Sequence, residues 1–161
     1  MVPLSAICDF LEAFAPVRLA QEWDNVGLLV GDAQADISRV MTCLTITPDS
    51  AAEAIERQAQ SIVVHHPLPF RPLKKITTDT TAGKLLWQLV QAGIAVYSPH
   101  TAFDSARGGI NQRLAQGLGM KDIVPLAPLA GDVEALGAGR RGRLPNPLSV
   151  GDFAASIKPF L

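Results

Sequence analysis

The chain holds three histidines, and two of them are adjacent. His65 and His66 stand in SIVVHHPLPF (61–70), after a short apolar run and before a proline. His100 stands in AVYSPHTAFD (95–104), again after an apolar run, with Asp104 four residues further on. Imidazole is a common nitrogen ligand for borderline divalent ions, and a carboxylate can ligate or bridge them, so these residue types point to metal chemistry. Pro67 disfavours helical backbone at His66, and successive side chains on an extended backbone point to opposite sides. On that expectation the two imidazoles do not chelate one ion together; each serves one of two ions about 3.5–4 Å apart. The competing reading of the pair is hydrogen-bonded loop structure at a strand end. Three protein ligands are also few for a two-metal site.

The surrounding sequence predicts the elements that position these groups. LSAICDFLEAF spaces Leu4, Ile7, Leu11 and Phe14 as one helical face, with Pro16 as the stop. WDNVGLLVGD reads as a loop entering a short strand between Gly27 and Gly31, and RVMTCLTI (39–46) as a β-branched strand. Thr47 and Pro48 suit the cap and first position of a helix. SIVV and IAVYS are strands of the fully buried type. Between them, TAGKLLWQLVQAG places Leu85, Leu86, Leu89 and Val90 on one helical face and ends at Gly93. GGINQRLAQGLG spaces Ile110, Leu114 and Leu118 for a mainly core-facing helix that stops at Gly119, with Gly108–Gly109 as backbone permission beside the site.

This alternation predicts an α/β fold, a mostly parallel sheet with helices on both faces. In such a sheet the carboxyl ends of the strands share one edge, where ligands bind. All three histidines are expected there. Beyond Met120 the pattern weakens. KDIVPLAPLA reads as an edge strand or loop, EALGAGRRGRL as a strand, and SVGDFAASIKPFL as a helix capped by Ser149 with Asp152 three residues on.

At 161 residues, 48% hydrophobic and 18% charged, the chain reads as one globular domain, 1–161. A net charge of -1 provides no basic field for nucleic acid or an anionic membrane. With no long apolar run and no basic leader, a cytoplasmic protein is expected. Cys8 and Cys43, set among apolar residues, read as buried free thiols. Arg107 and the run Arg140, Arg141 and Arg143 have the chemistry to hold a triphosphate, but the favoured reading of the run is a solvated strand or loop. Asp24 and Asn25 could approach the site, with a turn-forming pair as the favoured reading, and Trp23, Trp87 and Tyr97 read as packing residues rather than a stacking platform.

WDNVGLLVGD, VVHHPLPF, AVYSPHTAFDSARGGINQRLA and GLG follow one another in this order. In this the chain, from about Leu4 to its end, resembles the NGG-interacting factor three-like proteins, also called GTP cyclohydrolase 1 type 2 homologs. The resemblance implies an α/β protein in a ring-shaped homohexamer, with dinuclear centres facing a cavity. It implies His65, His66 and Asp104 as metal ligands and His100 in or beside the site. Two divalent ions per site are expected, with zinc, iron or manganese as candidates.

Two departures stand out. The family's LDxT stretch reads LTIT here, with Thr45 in the aspartate position. Family members also continue well beyond this length, with a histidine and a glutamate one helical turn apart completing the centre. This chain has no histidine after His100, so a shortened member or a fragment is expected, and exposed apolar residues near Phe160 and Leu161 would fit a continuation or a partner.

The cyclohydrolase label implies water attacking the purine ring of GTP with release of formate. A phosphoesterase is compatible with the same constellation. A non-catalytic metal-binding scaffold or regulatory interaction protein is the alternative class, and no general base is identified in the sequence.

Overall fold

The computed structural model describes residues 1–129 and 136–158. From the N-terminus, β1 (Val2–Pro3) and α1 (Leu4–Phe14) are followed by a 3-10 turn at Val17–Leu19. Three strands come next: β2 (Gly27–Val30), β3 (Asp36–Ile37) and β4 (Val40–Cys43). Then come α2 (Pro48–Glu56), β5 (Ser61–Val64), α3 (Thr81–Gln91), β6 (Ala95–Ser98) and α4 (His100–Ser105). The remaining elements are α5 (Ile110–Gly117), β7 (Lys121–Val124), β8 (Ala127–Pro128), β9 (Gly137–Ala138), β10 (Arg141–Arg143) and α6 (Val150–Ile157). The chain divides into two compact units, Met1–Ala102 and Phe103–Leu161.

The first unit is built on a four-stranded sheet in the order β2-β6-β5-β4. Strands β4, β5 and β6 are parallel, while β2 runs antiparallel to β6, so the class is α/β with a mixed sheet. Burial follows position in the sheet. The four residues of β6 are all buried, as the apolar run predicts. Edge strand β4 alternates exposed and half-buried, and it ends at Cys43 instead of continuing to Ile46.

Helix α2 starts in a reciprocal capping box: Thr47 Oγ1 accepts from the Ser50 amide and Ser50 Oγ accepts from the Thr47 amide. Helix α3 is capped by Thr80, whose Oγ1 accepts from the Gly83 amide. It closes on Gly93 at φ +66°, with Gly93 N donating to Val90 O and Ile94 N to Leu89 O. Its buried stripe is Leu85, Leu86 and Leu89; Val90, expected on that face, is 53% exposed near the helix end.

Ala51 and Ala54 from α2 and Leu85 and Leu89 from α3 pack with Ile62, Val64 and Val96. A separate cluster joins Leu4, Ile37 and Ala95, with Ile7 and Leu28 alongside. Ala95 and Val96 are neighbours on β6 and enter different clusters, as the alternation of a strand requires. Each fully buried leucine or isoleucine contributes about 1.5–3 kcal/mol relative to exposure. Gly31, at φ +132°, lets the backbone pass β6, since a Cβ there would lie 2.6 Å from Ala95 Cβ. Cys8 and Cys43 are free but half-buried, and burial pushes both thiols up, toward the unreactive form.

In the second unit, β7 pairs with β10 and β8 with β9, both antiparallel. Helix α5 departs from its expected core face. Ala115 is its buried residue and Leu114 is exposed, while Gln112, Arg113 and Gln116 line a polar pocket. Gly109 is backbone permission in a literal sense, because a Cβ there would sit 1.8 Å from the Phe103 carbonyl oxygen. The strand expected over EALGAGRRGRL is realised as β9 and β10 on either side of Gly139–Arg140, with Glu134 and Ala135 outside the described residues. Ser149 caps α6, accepting from the Asp152 amide and donating to Asp152 Oδ2. The expectation for Phe160 and Leu161 also lies outside the described residues. Among the described residues no helix is long and apolar enough to cross a membrane.

Candidate metal centre

Parallel strands β4, β5 and β6 run out at Cys43, Val64 and Ser98, and the candidate ligands follow directly. His65 N donates to Cys43 O and His66 N to Leu44 O, so the ladder holds the pair in place for two residues past β5. Buried Ser98 donates through Oγ to the His65 carbonyl at 2.8 Å. Both histidines sit in a bend, and the alternation expected of an extended backbone does not apply. Instead of pointing apart, the two rings lie side by side, with centroids 5.0 Å apart. The His100 ring is 5.1 Å from that of His65 and 5.9 Å from that of His66. One potential ligand atom from each of the three lies within 4.8 Å of the other two.

A residue of the antiparallel strand completes this arrangement. Gly27 of β2 pairs with Ser98, so the chain just upstream of β2 arrives at the edge where the parallel strands end. Asp24 lies there with its side chain fully shielded. Its Oδ1 accepts from His100 Nδ1 and from the Asn25 amide, each at 2.8 Å. Its Oδ2 accepts from the Thr101 amide at 3.2 Å and from the Thr101 hydroxyl. Burial raises the Asp24 pKa, but the hydrogen bonds from Thr101, His100 and Asn25 outweigh it and hold the carboxyl below its ordinary value.

His100 sits at φ +26°, an uncommon conformation for a side-chain-bearing residue, and the Asp24 contact holds its ring in one orientation. With Nδ1 engaged, Nε2 remains as its ligand atom. His66 is held in a similar way, with Nδ1 2.6 Å from Thr45 Oγ1. A metal-binding histidine is ordinarily fixed by a partner on its other nitrogen, and His66 and His100 each have one.

Asp24–Asn25 is thus the turn-forming pair expected, and it is also part of the site. Asn25 Nδ2 donates to Pro69 O at 2.7 Å, tying this turn to the HHPLPF loop. Trp23, expected to be packed, is 63% exposed, with edge contacts to Phe70 and His100. Trp87 is also exposed. Tyr97 is the packed aromatic: burial, with Glu12 and Cys8 adding to it, pushes its phenol up to about 12. The signal for Asp24 was a carboxylate immediately before a strand. It counts only once that strand is known to run antiparallel.

Asp104 lies four residues beyond His100 in α4, in the second unit, where its backbone carbonyl accepts from Asn111 Nδ2. The arginine run splits: Arg141 and Arg143 are exposed on β10, while Arg140 is half-buried. A three-imidazole donor set could hold a metal ion, and by ligand softness it suits zinc or iron better than manganese.

Comparison with known proteins bears on this geometry. The Duf34/NIF3 (NGG1p interacting factor 3) family profile matches residues 2–161. A Clostridium acetobutylicum protein named GTP cyclohydrolase 1 type 2 homolog is 38% identical over 152 residues, covering 94% of this chain and 57% of that protein. Among solved structures, a Staphylococcus aureus hypothetical protein superposes with a TM-score of 0.87 at 26% identity, covering 98% of this chain and 63% of its own. A Bacillus cereus protein related to NIF3 gives a TM-score of 0.74 at 38% identity, covering 80% and 35% respectively. The chain therefore spans under two thirds of the length of these relatives.

Proposed function

Because this chain belongs to the Duf34/NIF3 family, we propose that it binds divalent metal through His65, His66 and His100, with Asp104 as a further ligand, and acts as a metal-dependent hydrolase on a nucleotide. The observation that carries this reading is the convergence of three imidazoles, with His66 and His100 held through Nδ1. The reading extends to a two-ion centre in a cytoplasmic, ring-shaped homohexamer, and to a mostly parallel sheet with helices on both faces. The names of the relatives support the nucleotide, and the two apolar clusters meeting at β6 support the layering.

A bound divalent ion supplies Lewis-acid activation of water and of the substrate carbonyl or phosphoryl oxygen. The chain's own residues set the conditions for it. Asp24 keeps the proton of His100 on Nδ1, Thr45 Oγ1 shares a hydrogen bond with His66 Nδ1, and Trp23 with Phe70 forms an aromatic wall beside His100. In the test, the full chain is incubated with GTP and zinc, iron or manganese salts, and formate and phosphate are measured separately. Formate released only with metal, and not by His100→Ala, supports the cyclohydrolase; phosphate alone supports a phosphoesterase. No metal-dependent product would overturn hydrolysis. It would leave the second reading, a metal-binding scaffold or regulatory protein. That reading is favoured by Asp24 having both oxygens engaged, which unsuits it as a general base.

The Thr45 contact makes a separate prediction. Thr45→Val leaves His66 Nδ1 without its hydroxyl and is expected to weaken metal binding about tenfold, the lower end of the usual effect of losing such a partner. Thr45→Asp places a carboxylate against the same nitrogen and should tighten it. Competition with a chromogenic chelator reads both, and equal affinity in all three proteins would remove Thr45 from the site.

A further inference from the structure

The second unit contains a pocket of about 590 Å³ along one face of α5, lined by Arg107, Gln112, Arg113, Gln116 and Arg140, with Gly108, Ile123 and Pro125. The volume is in the range of small-molecule sites. Three arginines line this space, and none of the described lining residues is acidic. Such a pocket concentrates positive potential, since its described lining supplies no counter-charge.

The three arginines play different parts. Arg140 is a fixed element: Nε donates to Gln112 Oε1, Nη1 to the carbonyls of Gly137 and Gly139, and Nη2 to the Ala106 carbonyl. All these acceptors are neutral, so its charge is held half-buried without an anionic partner among the described residues. Burial accordingly lowers its pKa. Arg113 bonds through Nε to the Gly108 carbonyl, and neither of its terminal nitrogens bonds a described residue. Arg107 makes no hydrogen bond or ion pair with a described residue. Guanidinium forks suit phosphate oxygens in bidentate geometry, and buried charges are ordinarily paired.

We propose that this pocket binds the phosphate group of a small-molecule ligand, with Arg107 and Arg113 as the contacting forks and Arg140 as the fixed charge behind them. The site stands on residues of the second unit alone and does not depend on the metal reading.

The test is calorimetric titration of the full chain with inorganic tripolyphosphate, GTP and guanosine. Saturable binding of tripolyphosphate and GTP, with none of guanosine, is expected. Equal affinity for the two phosphates would identify the phosphate alone as the ligand, and tighter GTP binding would add a nucleoside contact. Arg107→Ala and Arg113→Ala should each weaken binding about tenfold, the usual effect of removing a charge-assisted hydrogen bond. Arg107 is exposed and its side chain makes no hydrogen bond or ion pair with a described residue, so Arg107→Ala should keep its fold, and its thermal midpoint checks this. Absence of saturable binding overturns the proposal, as does unchanged affinity in the Arg107→Ala/Arg113→Ala double variant. Binding lost in His65→Ala/His66→Ala but kept in the arginine variants would place the anion at the histidines and equally overturn it.

Discussion

Replacing Asp24 with alanine should destabilise the chain by about 3 kcal/mol and weaken metal binding as well. Hydrogen bonds to a charged group contribute about 1.5–3 kcal/mol each and do not add when they share one acceptor. Asp24 accepts from the Asn25 amide, the Thr101 amide and hydroxyl, and His100 Nδ1. Alanine leaves these donors facing a shielded void. Asp24→Asn preserves the shape but turns an amide nitrogen toward at least one donor, so it should also destabilise, by less. Because folding lowers the Asp24 pKa, its stabilisation is complete above the ordinary value of 3.8 and is lost as pH falls below that through the folded value. Urea unfolding at pH 7 and at pH 3 checks both statements. The wild type should lose part of the Asp24 contribution between the two, while Asp24→Asn should show a correspondingly smaller acid loss. Metal affinity should fall about 10–100-fold, because the ring of His100 loses the group that orients it. Identical unfolding curves for wild type and Asp24→Ala would show that the carboxylate is not structural.

Much of this arrangement was legible from local chemistry. Thr47, Pro48, Gly93 and Ser149 mark helix ends because capping depends on the residue at the end itself, and each holds the role expected of it. The strands before His65 and His100 were legible as buried apolar runs. Strand direction was not, because an isolated run such as GLLV carries no record of which way its neighbour runs. In the sequence Asp24 reads first as turn chemistry, and only the pairing of Gly27 with Ser98 brings it to the ligand edge. The geometry of His65 and His66 escaped for a related reason. Pro67 restricts the backbone at His66, but the hydrogen bonds to Cys43 and Leu44 and the bend that follows set the ring directions, and those partners are distant in sequence. In α5, Ile110, Leu114 and Leu118 have a helical period, yet the helix buries Ala115 instead, since periodicity names candidate faces and packing chooses among them.

The His65→Ala/His66→Ala variant should lose metal altogether. Two of three converging donors disappear, and the effect should exceed the roughly 10–100-fold set by an outer partner. His66 is exposed and His65 half-buried, so little packing goes with the rings and the fold should survive. Elemental analysis of protein purified without chelator gives ions per chain, and equal content in variant and wild type would sink the ligand assignment. Thermal unfolding supplies an independent readout: an ion at 100 times its Kd should stabilise the wild type by about 2.7 kcal/mol and leave the variant unmoved. The number of ions carries a further consequence. Imidazoles splayed to opposite sides would have divided between two ions, whereas nitrogens within 4.8 Å of one another can share one. One ion per chain, lost also in His100→Ala, would follow from the bend at His65–His66. Two ions would require donors in addition to the three imidazoles, and Asp104→Ala should then remove one ion and leave the other.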